Sequence, residues 1–171
     1  MGDHAEQPGY TTPMPTVHLV CGYLGAGKTT FSKALAARES AVRFSLDELY
    51  LSLFADGPTY ELDLKAMERL RATLDEVWPQ VVKAGASVVL DCGFWRRALR
   101  DQARDLARMA GGTTRLHWLR CADDVALTRC LERNGSAGAF LISPQGFQDL
   151  MVHFEPPVAD ESAQVVDTSP G

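Results

Sequence analysis

The 171-residue sequence is short of several things, and each shortage removes a class of function. No apolar run approaches the roughly 20 residues that cross a bilayer as a helix, so no membrane span is expected. Residues 1–15 (MGDHAEQPGYTTPMP) lack the apolar centre of a secretory leader and carry Pro8, Pro13 and Pro15 among polar residues. They read as a disordered arm ahead of one domain over 16–171. The four cysteines, at 21, 92, 121 and 130, form no C-x-x-C pair, and no histidine stands at metal-ligand spacing to them. Reduced thiols in a cytoplasmic protein are expected, with Cys21 and Cys92 buried. Positive charge is in deficit, with a net charge of -5 and a pI near 5.3. That balance argues against broad, sequence-independent binding of nucleic acid, which needs a basic surface to displace counterions. No N-K-x-D stretch occurs, so nothing reads guanine as a GTPase switch does. An AAA+ motor would need more chain for its lid and sensors. There are no internal repeats, and a monomer or small homo-oligomer is expected.

What is present is a regular alternation. Short apolar runs at 17–20, 41–45, 87–90, 116–119 and 164–166 read as strands, and helical patterns separate them. Helices are expected over 28–38, from Asp47 to Phe54, from Leu62 to Trp78, over 95–110 and over 123–133. Asp56-Gly57-Pro58 signals a turn, and Pro79 is expected to kink or restart its helix. Ser143-Pro144 has the form of an N-cap followed by proline at the first helical position, opening a helix to Phe154. The strands lack polar alternation, which predicts an α/β fold, a five-stranded parallel sheet with helices on both faces.

One motif is sharp. Gly22-Tyr23-Leu24-Gly25-Ala26-Gly27-Lys28-Thr29 fits G-x-x-x-x-G-K-[ST] between an expected strand and an expected helix, as a phosphate-binding loop requires. The glycines let successive backbone N–H groups turn inward to make a concave anion site. The helix starting at Lys28 adds the positive end of its dipole. Gly22, Gly25, Ala26, Gly27, Lys28, Thr29 and Thr30 are therefore expected to hold a nucleoside triphosphate. Lys28 would bridge β- and γ-phosphates, and the Thr29 hydroxyl would face Mg²⁺.

Two carboxylates stand beyond expected strand ends. Asp91 closes Val88-Val89-Leu90 as a Walker B aspartate does, placing it near Mg²⁺ or an acceptor; a turn aspartate is the plainer alternative. Asp47 follows Phe44-Ser45-Leu46 at the same sheet edge, where a carboxylate can orient and deprotonate an alcohol. Its alternative is a first-turn helix residue complementing the dipole. Arg129 and Arg133 share a helix face beside the flexible stretch 134–142, so a lid over about 134–143 would bring them over transferring phosphoryl groups. Arg96, Arg100, Arg104 and Arg108 form an i, i+4 row beside Asp101 and Asp105. Such rows commonly make a solvated face, yet Arg97 and Arg100 are candidates to meet an anionic substrate.

Taken together, several segments resemble the small P-loop kinases. These segments are the phosphate loop, Ser45-x-Asp47, Asp91-Cys92-Gly93-Phe94-Trp95, Arg129-x-x-x-Arg133-Asn134, and Phe154-Glu155-Pro156 with Glu161. That group includes zeta-toxin-like kinases, chloramphenicol phosphotransferase, polynucleotide 5′-kinases and gluconate kinase, with adenylate kinase more distant. The resemblance spans roughly residues 16–167. It implies strand order 2-3-1-4-5, Mg-ATP as phosphoryl donor, Asp47 as general base, and Arg129 and Arg133 as lid arginines. Many relatives carry a helix after the fifth strand, whereas four residues follow Asp167 here, so an open adenine side is expected. The expected reaction is transfer of the ATP γ-phosphate to a hydroxyl of a small molecule. A polynucleotide 5′-kinase and a regulatory ATPase or nucleotide switch are the alternatives.

Overall fold

The computed structural model describes residues 13–54, 64–136 and 139–169. The expected turn at residues 56–58, Leu62 and the arm up to residue 12 lie outside them. The five strands are β1 (Thr16–Gly22), β2 (Val42–Ser45), β3 (Val88–Gly93), β4 (Thr113–Arg120) and β5 (Gln164–Asp167). They form one parallel sheet in the order β2-β3-β1-β4-β5. The helices are α1 (Lys28–Glu39), α2 (Leu46–Phe54), α3 (Leu64–Lys83), α4 (Arg97–Met109), α5 (Asp123–Glu132) and α6 (Pro144–Met151).

Strand alternation decides which side chains meet which layer. Val17, Leu19 and Cys21 of β1, with Val88 and Leu90 of β3, pack beneath Trp78 and Val82 of α3 and Ala103 and Ala107 of α4. Val20 and Val89 point the other way, against Leu35 of α1. The sheet is thus covered on both faces. Burial of this apolar area, at about 25 cal/mol per Å², is the main force holding the layers together. His18 and His117 also lie in the sheet, with Nδ1 and Nε2 3.0 Å apart. Burial lowers both pKa values, that of His117 to about 4, so the pair is neutral at pH 7 and one ring donates to the other. Burial likewise raises the free thiols of Cys21 and Cys92, to about 11 and 12.

Several boundaries differ from the sequence reading, and three of them bear on packing and the site. β3 does not close at Asp91 but runs on to Gly93, because Asp91 still pairs with Ser45 of β2 and Gly93 pairs with Cys21 of β1. α3 passes through Pro79 without a break; Trp78, Pro79 and Val82 are buried together, and their packing offsets the missing backbone donor. α6 ends at Met151 rather than at Phe154, after a start capped as expected, with Ser143 Oγ accepting from the Gly146 N–H at 3.0 Å.

Candidate active site

β1 ends at the centre of the sheet and delivers the phosphate loop to its carboxyl edge, where crevices of such sheets bind ligands. Gly25 has φ +72°, and a Cβ there would lie 2.2 Å from the Ala126 carbonyl oxygen. Only glycine fits. Gly27, also left-handed at φ 78°, is the N-cap of α1, so the first turn of the helix opens directly onto the loop. This cradle suits an anion: its donors are backbone N–H groups at a helix N-terminus.

A cleft of about 700 Å³ lies over the loop. Gly25, Gly27, Lys28, Thr29 and Thr30 line its floor, while Gly22 and Ala26 are buried beneath. Asp47 and Glu48 enter from the first turn of α2, beyond β2. Arg129 and Arg133 of α5 and Thr168, just past β5, enter from the opposite side. The sheet order therefore sorts the walls: α2 on the β2 side, α5 and Thr168 on the β5 side.

Lys28 Nζ donates to the Tyr23 carbonyl at 2.7 Å. Desolvation lowers its pKa, and the nearby charges of Asp47 and Asp91 oppose that shift. Asp47 opens to the cleft yet is walled by protein. Desolvation raises its carboxyl pKa, with the Lys28 charge pulling the other way. A carboxylate pushed upward beside an ammonium pushed downward is the electrostatic pattern of a group able to take a proton.

Asp91 is not placed as expected. It does not line the cleft. Its alternation along β3 turns it toward α1, where Oδ2 accepts from Arg43 at 2.6 Å and from Ser32 Oγ at 2.8 Å. The same Arg43 donates to Glu48 at 2.8 and 3.3 Å and through Nε to Ser32 Oγ at 2.8 Å. Arg43 is a tie beside the cleft that sequence reasoning did not single out. Its only signal was a lone charge inside an otherwise apolar strand. Of the residues considered for Mg²⁺, the Thr29 hydroxyl fits, because it lines the cleft at the first turn of α1. Asp91 does not line the cleft, and its Oδ2 is taken by Arg43 and Ser32.

Arg100 is likewise corrected. It is 1% exposed, and its guanidinium forks onto both oxygens of Glu161 at 2.7 and 2.8 Å while also donating to the carbonyls of Phe94 and Glu155. Buried and held this way, it does not line the cleft. Arg97 sits on the surface in ion pairs with Asp101 and Asp160. The row is thus partly a clamp for the Phe154-Glu155-Pro156 and Glu161 segment rather than a substrate surface. Arg129 donates to the Thr168 carbonyl at 2.7 Å and to that of Gly25 at 3.4 Å, tying α5 to the loop. Arg133 donates to the Arg129 carbonyl at 3.2 Å. In the expected lid, Asn134 clamps Ile142 from both ends, donating to its carbonyl at 2.8 Å and accepting from its N–H at 3.0 Å.

A family model described as an AAA domain matches residues 17–157. The chain belongs to that family. Its solved neighbours share its fold, and several of them are kinases. One is a candidate kinase from Chloroflexus aurantiacus, 22% identical with a TM-score of 0.73, covering 91% of this chain and 89% of that one. A gluconokinase from Sinorhizobium meliloti is 20% identical with a TM-score of 0.66, over 90% and 83% of the two chains. The APS kinase CysC of Mycobacterium tuberculosis, solved with AMPPNP and APS, is 16% identical with a TM-score of 0.62, over 92% and 90%. None of the curated proteins matches the chain. Among the described residues of this P-loop protein, no helix is long and apolar enough to cross a membrane.

Proposed function

We propose that this chain is an ATP-dependent phosphotransferase that moves the γ-phosphate to a hydroxyl of a small molecule. The observation that carries the reading is the meeting of Lys28, Thr29 and Asp47 in one cleft. A nucleotide held by the loop would present its γ-phosphate between Lys28 and Asp47. The acceptor oxygen forms a bond to phosphorus as the bond to the β–γ bridging oxygen breaks and its electron pair leaves with ADP. Asp47 takes the acceptor's proton, which its raised pKa favours.

Lys28 holds the charge developing on the phosphate oxygens, and leaves the Tyr23 carbonyl to do so. Arg133, and Arg129 beside it, supply further positive charge from the α5 wall, and Ala139, Phe140 and Ile142 line the cleft beside them, where a lid would exclude water. Thr29 would hold Mg²⁺, which would supply neutralisation of phosphate charge.

The internal use of Arg100 and Arg104, both ion-paired to Glu161, removes much of the basic row that a polynucleotide acceptor would need. The test is ADP release and ³¹P NMR of purified protein with Mg-ATP, with and without hydroxyl acceptors. A new phosphomonoester appearing in step with ADP supports the kinase. ADP release at one rate regardless of acceptor would identify an ATPase switch instead.

A further inference from the structure

Resting on the kinase reading, in which Asp47 takes the acceptor's proton, we infer that Arg43 is a positioning residue for phosphoryl transfer. It fixes the first turn of α2, and Asp47 with it, relative to the first turn of the phosphate-loop helix α1.

β2 passes into α2 with no residue between them: Ser45 ends the strand and Leu46 opens the helix. The direction in which α2 leaves the sheet is therefore set by side chains rather than by a connecting loop. On the core side, Leu46 and Tyr50 are buried. Toward α1 the anchor is Arg43, whose side chain is only 13% exposed. Its guanidinium meets three elements at once. It donates to Asp91 Oδ2 of β3 at 2.6 Å, to Ser32 Oγ of α1 at 2.8 Å, and to the two Glu48 oxygens of α2 at 2.8 and 3.3 Å.

Two of these contacts lead to the reacting groups. Glu48 directly follows Asp47, and neighbours on a helix point about 100° apart. Holding Glu48 against Arg43 therefore fixes the rotation of α2 that aims Asp47 into the cleft. Ser32 Oγ also lies 3.1 Å from the Thr29 carbonyl, in the turn of α1 where Lys28 and Thr29 line the cleft. Arg43 thus spans the floor expected to hold phosphate and the wall that carries the carboxylate.

Lys33 reaches Glu48 as well, at 3.0 Å, but its side chain is 61% exposed, and a screened surface pair holds geometry weakly. Arg43 is largely buried, and its planar fork of donors is rigid. The charges that act most on Asp47 are those of Lys28, Asp91, Arg71 and Arg133. Arg43 acts on it through geometry, by way of Glu48.

The test is a double-mutant cycle in the full-length protein. Single-turnover cleavage of Mg-ATP, with water as the acceptor, is measured for Arg43→Lys, for Asp47→Asn and for the two together. Lysine keeps the charge but cannot fork onto three partners. A misplacement of about 1 Å can cost on the order of 10²-fold, so Arg43→Lys alone should slow cleavage at least about tenfold. Mg-ATP affinity should stay within about threefold of wild type, because the phosphate donors remain. Beside Asp47→Asn the same change should slow cleavage by less than about twofold, because the group it aims is gone. Glu48→Ala cuts only the link to α2 and leaves the Arg43–Asp91 pair that ties the strands. It should show the same dependence on Asp47 with a smaller loss. Equal fold-losses with and without Asp47 would make Arg43 a structural tie alone and overturn this inference while the kinase reading stands. Cleavage by Asp47→Asn at the wild-type rate would overturn Asp47 as the proton acceptor, and this inference with it.

Discussion

Arg43 and Asp91, on neighbouring strands, close a 2.6 Å ion pair whose guanidinium also grips Glu48, the residue next to Asp47. The carboxylate that looks like a metal ligand in sequence is thereby a tie between β2, β3 and α1. Asp91→Asn should lower stability by about 2–3 kcal/mol, because it leaves a largely buried arginine with one anionic partner fewer. Nucleotide titrations with and without Mg²⁺ should shift by the same factor. A selective loss of Mg²⁺-dependent affinity would return Asp91 to the metal.

Lys28→Ala should cut turnover by at least about 10²-fold, the usual scale for one electrostatic contact in a transition state. Its melting temperature without nucleotide should not fall. Lys28 is held against its own desolvation, so the truncation removes an unfavourable charge together with one hydrogen bond. Wild-type turnover in a folded variant would dismiss the phosphate loop from the reaction.

Asp47→Asn should lower transfer by roughly 10²- to 10⁴-fold while ATP affinity stays near wild type. The wild-type rate should have its acid limb above the ordinary aspartate range. Burial raises the carboxyl pKa, so the proton-accepting form is lost sooner as the pH falls. A limb at or below the ordinary aspartate value would assign the base elsewhere.

The Arg100–Glu161 pair sets an acid limit on the fold. The arginine's hydrogen bonds hold the Glu161 carboxyl down at about 2, below its unfolded value. The stability it contributes is therefore full above the ordinary glutamate range and drains away as the pH falls through about 2. Glu161→Gln should cost about 3 kcal/mol at neutral pH and flatten the stability curve across that acid window. Chemical denaturation at several pH values checks both; a parallel loss at every pH would mean that the pair is not the titrating element.

The parallel α/β sheet and the phosphate loop were legible because they are local: apolar runs alternate with helical spacing, and eight consecutive residues carry the cradle. The family resemblance added the order 2-3-1-4-5, which the strands adopt. The tie of Asp91 to Arg43 was hidden because the side to which a strand residue points depends on where pairing stops, and β3 pairs through Ser45↔Asp91 and on to Cys21↔Gly93. Arg100 was misread for a different reason. Its helix face looked like a repeating surface row, and its partner Glu161 stands 61 residues away beside a 3₁₀ turn (Ala159–Glu161). Periodicity along one helix cannot reveal which segment of chain will be folded over it.

Tyr23, inside the loop, holds Lys28 through its carbonyl and gives its hydroxyl hydrogen to the Phe147 carbonyl of α6, while its ring lies against Trp95, Phe147 and Phe154. The loop and α6 therefore share one anchor 124 residues apart in sequence. A consequence concerns transplantation. The eight-residue loop of another P-loop protein, grafted here with a small residue at position 23, would keep every phosphate donor and still lose the tie between α6 and the nucleotide floor.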